Sequence, residues 1–261
     1  MRNIFRRFIL AISFLTVLPV DWLFIRNIPE NQDFIKDDLS KSSIFFPIVG
    51  ILIGLILAGT NYLLQYTPFD FLLSTGIILT IWVSLSGGLH LEGFGDMVDG
   101  FSGGKNQKEI IRIMKDGAIG SKGAIALILL ILLKLLLIYT LHPFYRIEAL
   151  LLTPVIGRWS MVLAGYFGKP ASSDNSLSQM FTVYLGEKEI ILATIITILY
   201  GYYLLSYPLL YFLVLSGFIT YLLISYSFSK MQGICGDVIG ATNELTEIVV
   251  LLIFQLLQYG I

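Results

Sequence analysis

Hydrophobic residues run along this chain in long blocks separated by short polar intervals, without the strict alternation of a half-buried strand. Six or more blocks reach roughly 18 residues with almost no charge, the length a helix needs to cross about 30 Å of hydrocarbon. Helical spans are predicted at about 43 to 66, 71 to 92, 123 to 141, 148 to 167, 190 to 207, 209 to 229 and 244 to 259. Residues 4 to 19 form a shorter apolar segment behind Arg2, Arg6 and Arg7 that stops at Pro19. It reads as an interfacial or re-entrant helix, retained in the mature protein because no small-x-small cleavage site follows. The stretch from about 26 to 42, with Glu30, Asp33, Lys36, Asp37, Asp38 and Lys41, is expected to be solvated. The expected fold is all-α: a polytopic transmembrane bundle of about seven spans plus the N-terminal interfacial helix, one integral membrane domain over 1–261.

Charge sets the orientation. With the N-terminus inside, the loops 1 to 42, 93 to 122, 168 to 189 and 230 to 243 face the cytoplasm and hold 14 of the 17 basic residues. Arg146 alone falls in an outer loop, and Lys134 and Arg158 lie within spans, so the positive-inside rule favours this topology. The same orientation gathers the polar clusters Glu92 to Lys122, Lys169 to Asn175 and Cys235 to Glu247 on one face. A multi-pass protein of the cell membrane with its site toward the cytoplasm is expected.

Composition agrees. Hydrophobic residues make up 56% of the chain and charged residues 13%, with a mean hydropathy of +0.82; soluble domains are about a quarter charged. The net charge of −1 and the lack of a basic tract argue against nucleic-acid binding. Cys235 is the only cysteine, which excludes an intramolecular disulfide and a cysteine-cluster metal site, and two histidines exclude a His-rich one.

The sharpest motif closes the second predicted span, Ser86-Gly-Gly-Leu-His-Leu-Glu-Gly-Phe-Gly-Asp-Met-Val-Asp-Gly100. Glu92, Asp96 and Asp99 stand at i, i+4 and i+7, which aligns three carboxylates on one helix face. Near a low-dielectric boundary such a face needs a neutralising cation or protonation. A hard, all-oxygen set suits Mg²⁺ or Mn²⁺. A solvated helix end is the plain alternative, but five interspersed glycines favour close approach of a helix or ligand. The run Gly100-Phe-Ser-Gly-Gly104 is expected to be a flexible loop able to lie against phosphates.

Asn106 to Gly117 reads as a short amphipathic helix capped by Asn106 and stopped by Gly117. Asp116 at its C-terminal end opposes the helix dipole, which suggests a fourth metal ligand or a catalytic base, against the reading of an exposed Asp. Arg112, Lys115 and Lys122 are candidates for anionic oxygens. Arg158, about ten residues into its span, needs a partner: the acidic cluster or a substrate phosphate. Lys134 has only leucine and isoleucine neighbours in sequence and is read as structural or snorkelling. In the last cluster Asp237 and Glu244 share a face at i, i+7 and are candidates to meet the first cluster or hold substrate. His90 and Cys235 read as packed residues.

Two resemblances follow. The D-x-x-D-G element at the end of a membrane helix is similar to that of the CDP-alcohol phosphotransferases, although Phe101-Ser102 stands where that pattern has Ala-Arg. A closer resemblance covers nearly the whole chain: it resembles the cobalamin synthase family, the adenosylcobinamide-GDP ribazoletransferases. It rests on Phe14-Leu-Thr-Val-Leu-Pro-Val20, Gly87 to Glu92 with Asp96 to Gly100, Ile113 to Asp116 with Ile119-Gly120, Gly157-Arg158-Trp159, and Gly236 to Ala241 with Glu244 to Glu247. The chain departs from the family pattern at Val17 and Ala118, each in place of an arginine, and Lys115, Lys122 or Arg158 would take over those phosphate contacts.

The resemblance implies a transferase joining adenosylcobinamide-GDP to α-ribazole or its 5′-phosphate, with release of GMP. It implies Mg²⁺ on Glu92, Asp96, Asp99 and Asp116, with Asp99 or Asp116 as base, so that Asp99→Asn and Asp116→Asn each abolish turnover. Arg158, Lys115, Lys122, Asp237 and Glu244 are the expected substrate contacts; membrane lipid and a second copy of the chain are further expected partners. A lipid-making CDP-alcohol phosphotransferase and, from another class, a cation-coupled transporter are the alternatives.

Overall fold

The computed structural model describes residues 2–20, 32–171 and 182–260. Among them eleven helices and no strand build the molecule. In chain order they are α1 (Arg2–Leu15), α2 (Gln32–Lys41), α3 (Phe46–Leu64), α4 (Phe71–Leu85), α5 (Leu89–Gly103) and α6 (Gln107–Met114). There follow α7 (Ser121–Tyr139), α8 (Pro143–Phe167), α9 (Glu187–Leu205), α10 (Leu209–Met231) and α11 (Gly236–Gln258). Arg26, Glu30 and the Ser172–Asn175 part of the second polar cluster lie outside the described residues.

Five stretches are long and apolar enough to cross a membrane: Asp37–Leu64, which contains α3, and the helices α7, α8, α9 and α10; α4 and α5 together make a sixth. The seventh predicted span, 244 to 259, falls in α11, which is not among these five and carries Asn243, Glu244 and Glu247 buried in its first half. Apolarity alone therefore does not reach the predicted seven.

The predicted continuous span 71 to 92 is broken. α4 ends at Leu85 and α5 leaves it at 83°. Gly87 and Gly88 turn the corner at φ +61° and +74°, a region a side chain makes costly. The Val17 amide donates to the Leu85 carbonyl and ties the end of the N-terminal segment to this bend. α5 packs on the start of α7 at Gly120 and Gly123, on the start of α11 at Asp237 to Gly240, on α6, and through Phe101 on Tyr226 near the end of α10. The end where α4 stops and α7 and α11 begin is the site end.

Close helix contacts explain several glycines. A Cβ at Gly50 of α3 would stand 2.6 Å from the Pro154 carbonyl oxygen of α8, and one at Gly54 2.7 Å from that of Leu151. Small residues four apart let the two backbones meet, at the turn where Pro154 removes an N–H from the α8 ladder. At the site end a Cβ on Gly93 would come within 3.0 Å of the Asp237 Cα, and one on Gly240 within 3.3 Å of the His90 Cα. These contacts press α5 onto the first turns of α11.

Two charged positions differ from expectation. Asp38, predicted to be solvated, is buried and paired with Arg6 and Arg7 of α1, which fastens α1 to α2. Arg146, predicted in an outer loop, is buried in the first turn of α8: Nε donates to Asn61 and Nη2 to Thr75, and the guanidinium stacks 4.0 Å from the Phe71 ring. Polar groups and a ring face supplied by α3 and α4 replace water around it.

Candidate active site

The three aligned acids do occupy one helix, but they part company by packing. Glu92, exposed, and Asp96, half buried, turn toward Asp237 in the first turn of α11. Burial and then the charges of Asp237, Glu92 and Asp99 push the Asp96 carboxyl up to about 6. Burial likewise raises Asp237, against the hydrogen bond its Oδ2 accepts from the Cys235 thiol 3.4 Å away. Burial and Asp237 hold that thiol up at about 12, so Cys235 stays a protonated donor. Glu92, Asp96 and Asp237 therefore form an acidic trio drawn from two helices, assembled by the glycine contact of Gly93 on Asp237.

Asp99 has a different task. Its Oδ2 accepts from the Gly120 amide at 2.7 Å and its Oδ1 from the Gly123 amide at 2.8 Å. It thus caps the N-terminus of α7 from another helix, where Gly120 has no side chain to do so. A Cβ at Gly123 would overlap this carboxylate, so the two glycines of α7 and Asp99 form one joint. Asp99→Ala should lower stability by about 1–2 kcal/mol through loss of the cap, read as the unfolding midpoint in detergent, whereas Asp99→Glu, too long for the joint, should not restore it.

The short helix α6 matches its prediction: Asn106 Oδ1 caps the Glu109 amide, and Gly117 turns out of it at φ +66°. Residues Gly100 to Gly103, expected as a flexible loop, are helical instead. Gly100 and Gly104 lack side chains because Cβ atoms there would strike Met114 at 2.7 Å and Ile110 at 2.5 Å, so they serve the packing of α6 against α5. Asp116 and Lys115 are exposed after α6, at the site end, and Asp116 is not among the charges that raise Asp96. Lys122 reaches back to the Ser102 carbonyl at 3.1 Å.

Arg158, Lys134 and Glu244 belong to a buried network inside the bundle. Lys134 Nζ lies 2.7 Å from Glu244 Oε2 and 2.6 Å from Glu247 Oε2, and Arg158 Nη1 bonds Glu247 Oε1. Asn243 Nδ2 donates to both glutamates at 3.2 Å. Lys134 is thus structural, as one of its two readings had it, and its two acid partners come from α11 rather than from its sequence neighbours. Arg158, 1% exposed, pairs through Nη1 with Glu247 while its Nε is buried without a partner, and Glu244 pairs with Lys134. The sequence did hold a signal for this: two cations within predicted spans and two acids at i, i+3 in another balance in charge.

Among the described residues no group of three or more His, Cys, Asp and Glu is placed so that it could hold a metal ion. Magnesium keeps several waters and takes only one or two carboxylates directly, so a magnesium ion at this end would rest on one or two of these acids and on water.

A cluster of acids where α5 meets the first turn of α11, in a molecule with five helical stretches long and apolar enough to cross a membrane, defines an all-α membrane protein with one polar end. The chain belongs to the family described as cobalamin-5-phosphate synthase, whose model matches residues 7–255. It is 34% identical to the adenosylcobinamide-GDP ribazoletransferase of Thermoanaerobacter pseudethanolicus over 256 residues, covering 95% of this chain and 96% of that protein. The proteins of the same name from Desulforamulus reducens and Clostridium acetobutylicum are 32% and 30% identical, covering 95% and 93% of this chain and 96% and 93% of theirs. None of these relatives supports a CDP-alcohol phosphotransferase or a transporter. No solved structure matches the chain significantly.

Proposed function

We propose that this chain joins α-ribazole, or its 5′-phosphate, to adenosylcobinamide-GDP, giving adenosylcobalamin or its phosphate and GMP. The acidic trio at the site end is the observation that carries the chemistry, and the whole-length family match supports the substrates. The acceptor hydroxyl forms a new O–P bond at the phosphorus on the cobinamide side, and the bond to GMP breaks. Asp116, exposed at the same end, is the acid suited to receive the hydroxyl proton. Lys115 and Lys122 offer charge to the diphosphate oxygens.

Glu92, Asp96 and Asp237 would hold magnesium, in place of the expected set that included Asp99, whose two oxygens already serve α7. Bound there, the ion supplies neutralisation of the diphosphate. The excess of basic residues in the loops of the site end supports placing that end in the cytoplasm and the protein in the cell membrane.

Asp96 gives a metal test independent of turnover. Its folded value of about 6 lies above the unfolded carboxylate value near 3.9, so without metal its contribution to stability is present at low pH and is lost as pH rises through that window. Magnesium should raise the unfolding midpoint at pH 8 and do so much less at pH 5, where Asp96 is protonated. Equal shifts at both values would remove Asp96 from the ligand set. The reaction is tested by GMP formation in membranes containing the protein, offered adenosylcobinamide-GDP with α-ribazole; formation of product from CDP-diacylglycerol instead would overturn the assignment.

A further inference from the structure

Beside the acidic trio, between the start of α5, the start of α11, α8 and the N-terminal helix, lies a largely apolar cavity of about 120 Å³. Asp237 and Gly93 belong to its wall, so it opens onto the same site end. Phe14 and Phe46 form another part, their rings stacked at 6.0 Å with 21° between planes. Met161 and Val162 of α8 complete the wall. His90, 1% exposed, also lines the cavity, and its Nε2 is buried without a hydrogen-bond partner. Buried polar nitrogens in folded proteins are nearly always satisfied, by protein or by ordered water, and leaving one unpaired carries a cost, so a water or a ligand atom in the cavity would relieve it.

We propose that this cavity takes the flat aromatic base of the acceptor nucleoside, with His90 hydrogen-bonding a ring nitrogen. The inference rests on the proposed reaction and adds a location to it. An apolar cavity of roughly 150 Å³ accepts a benzene-sized ring, so the cavity of about 120 Å³ here takes one edge of a fused base with the remainder at its mouth, and excludes a corrinoid macrocycle. A lipid chain would fill the apolar wall but offer nothing to His90. A benzimidazole-type base satisfies both: its faces meet Phe14, Phe46, Met161 and Val162, and its unsubstituted ring nitrogen accepts from the imidazole. Seated there, the nucleoside has its ribose directed along Asp237 toward Asp96 and Glu92, where its hydroxyl or phosphate is needed.

Equilibrium binding of labelled α-ribazole to the purified full chain in detergent tests this, with the KM for adenosylcobinamide-GDP measured alongside. Val162→Phe, which fills the cavity, and His90→Phe, which keeps the ring but loses both nitrogens, should each weaken α-ribazole binding about tenfold or more, the effect of a buried polar group left unpaired. The KM for adenosylcobinamide-GDP should stay within twofold, which also shows that the variants are folded. Should either variant fail to fold, Met161→Ala decides, because it removes bulk: it should weaken α-ribazole and improve a riboside with a larger fused-ring base. Unchanged α-ribazole binding in these variants overturns the proposal, as does a rise confined to the KM for adenosylcobinamide-GDP. If the parent protein binds α-ribazole with this residue dependence but releases no GMP, the reaction fails and the base site stands.

Discussion

Asparagine at position 96 is expected to lower the rate of transfer by roughly 10²- to 10³-fold while leaving the fold intact, the scale seen when a preorganised charge at a reacting phosphate or oxyanion is removed. Asp96 sits between Glu92 on its own helix and Asp237 on α11, and it bears the repulsion of both. Removing its charge relieves that repulsion, so the Asp96→Asn protein should be at least as stable as its parent at pH 8 in the absence of metal. Loss of activity combined with unchanged or higher stability is a signature that damage to packing does not give. The measurement is GMP release at saturating adenosylcobinamide-GDP and α-ribazole, with the unfolding midpoint determined on the same preparation. Asp99→Asn supplies the contrast: it should cost stability first, because only one of its two side-chain atoms can still accept from the α7 amides. If Asp99→Asn abolishes turnover at unchanged stability and Asp237→Asn keeps full activity, the ligand set drawn from sequence spacing is right and the trio is not.

That contrast marks where the sequence was legible. Helical period and charge-free length identify an all-α membrane protein because both are local properties of the chain, and the Asn106 cap of α6 was visible for the same reason. The i, i+4, i+7 spacing correctly put Glu92, Asp96 and Asp99 on one helix, but spacing says nothing about what each residue meets across an interface. Asp99 found the α7 amides, and Asp237, 138 residues away in the chain, took its place beside Asp96. The break at Gly87 and Gly88 was missed because the apolar run continues through it; two adjacent glycines after Ser86 were the available sign. Glycines read as a phosphate loop instead relieve contact between α5 and α6, since a glycine's absence of side chain serves either purpose equally and only the neighbours distinguish them.

Substituting Glu247 by leucine is expected to destabilise the bundle by about 3–5 kcal/mol, the loss typical when one partner of a buried ion pair is removed. Glu247 is fully buried and serves two cations, one from α7 and one from α8. Lys134 keeps Glu244 when Glu247 is lost, but Arg158 forms no other direct ion pair among the described residues and retains only the more distant charge of Glu244. The uncompensated charge would thus sit on α8, the helix most enclosed by its neighbours, where neither water nor the bilayer surface is within easy reach. The double variant Arg158→Met with Glu247→Leu removes both members and should recover a large part of the loss, since an apolar pair of similar bulk often replaces a buried ion pair without penalty. Unfolding of purified protein in detergent, run as a double-mutant cycle over the parent, the two single variants and the double, gives the coupling energy directly. A coupling near zero would mean that Arg158 finds another anion in the working protein. A large coupling establishes the network as the clamp that fixes α7, α8 and α11 against one another, and with them the first turns of α7 and α11 on which Asp99 and Asp237 depend.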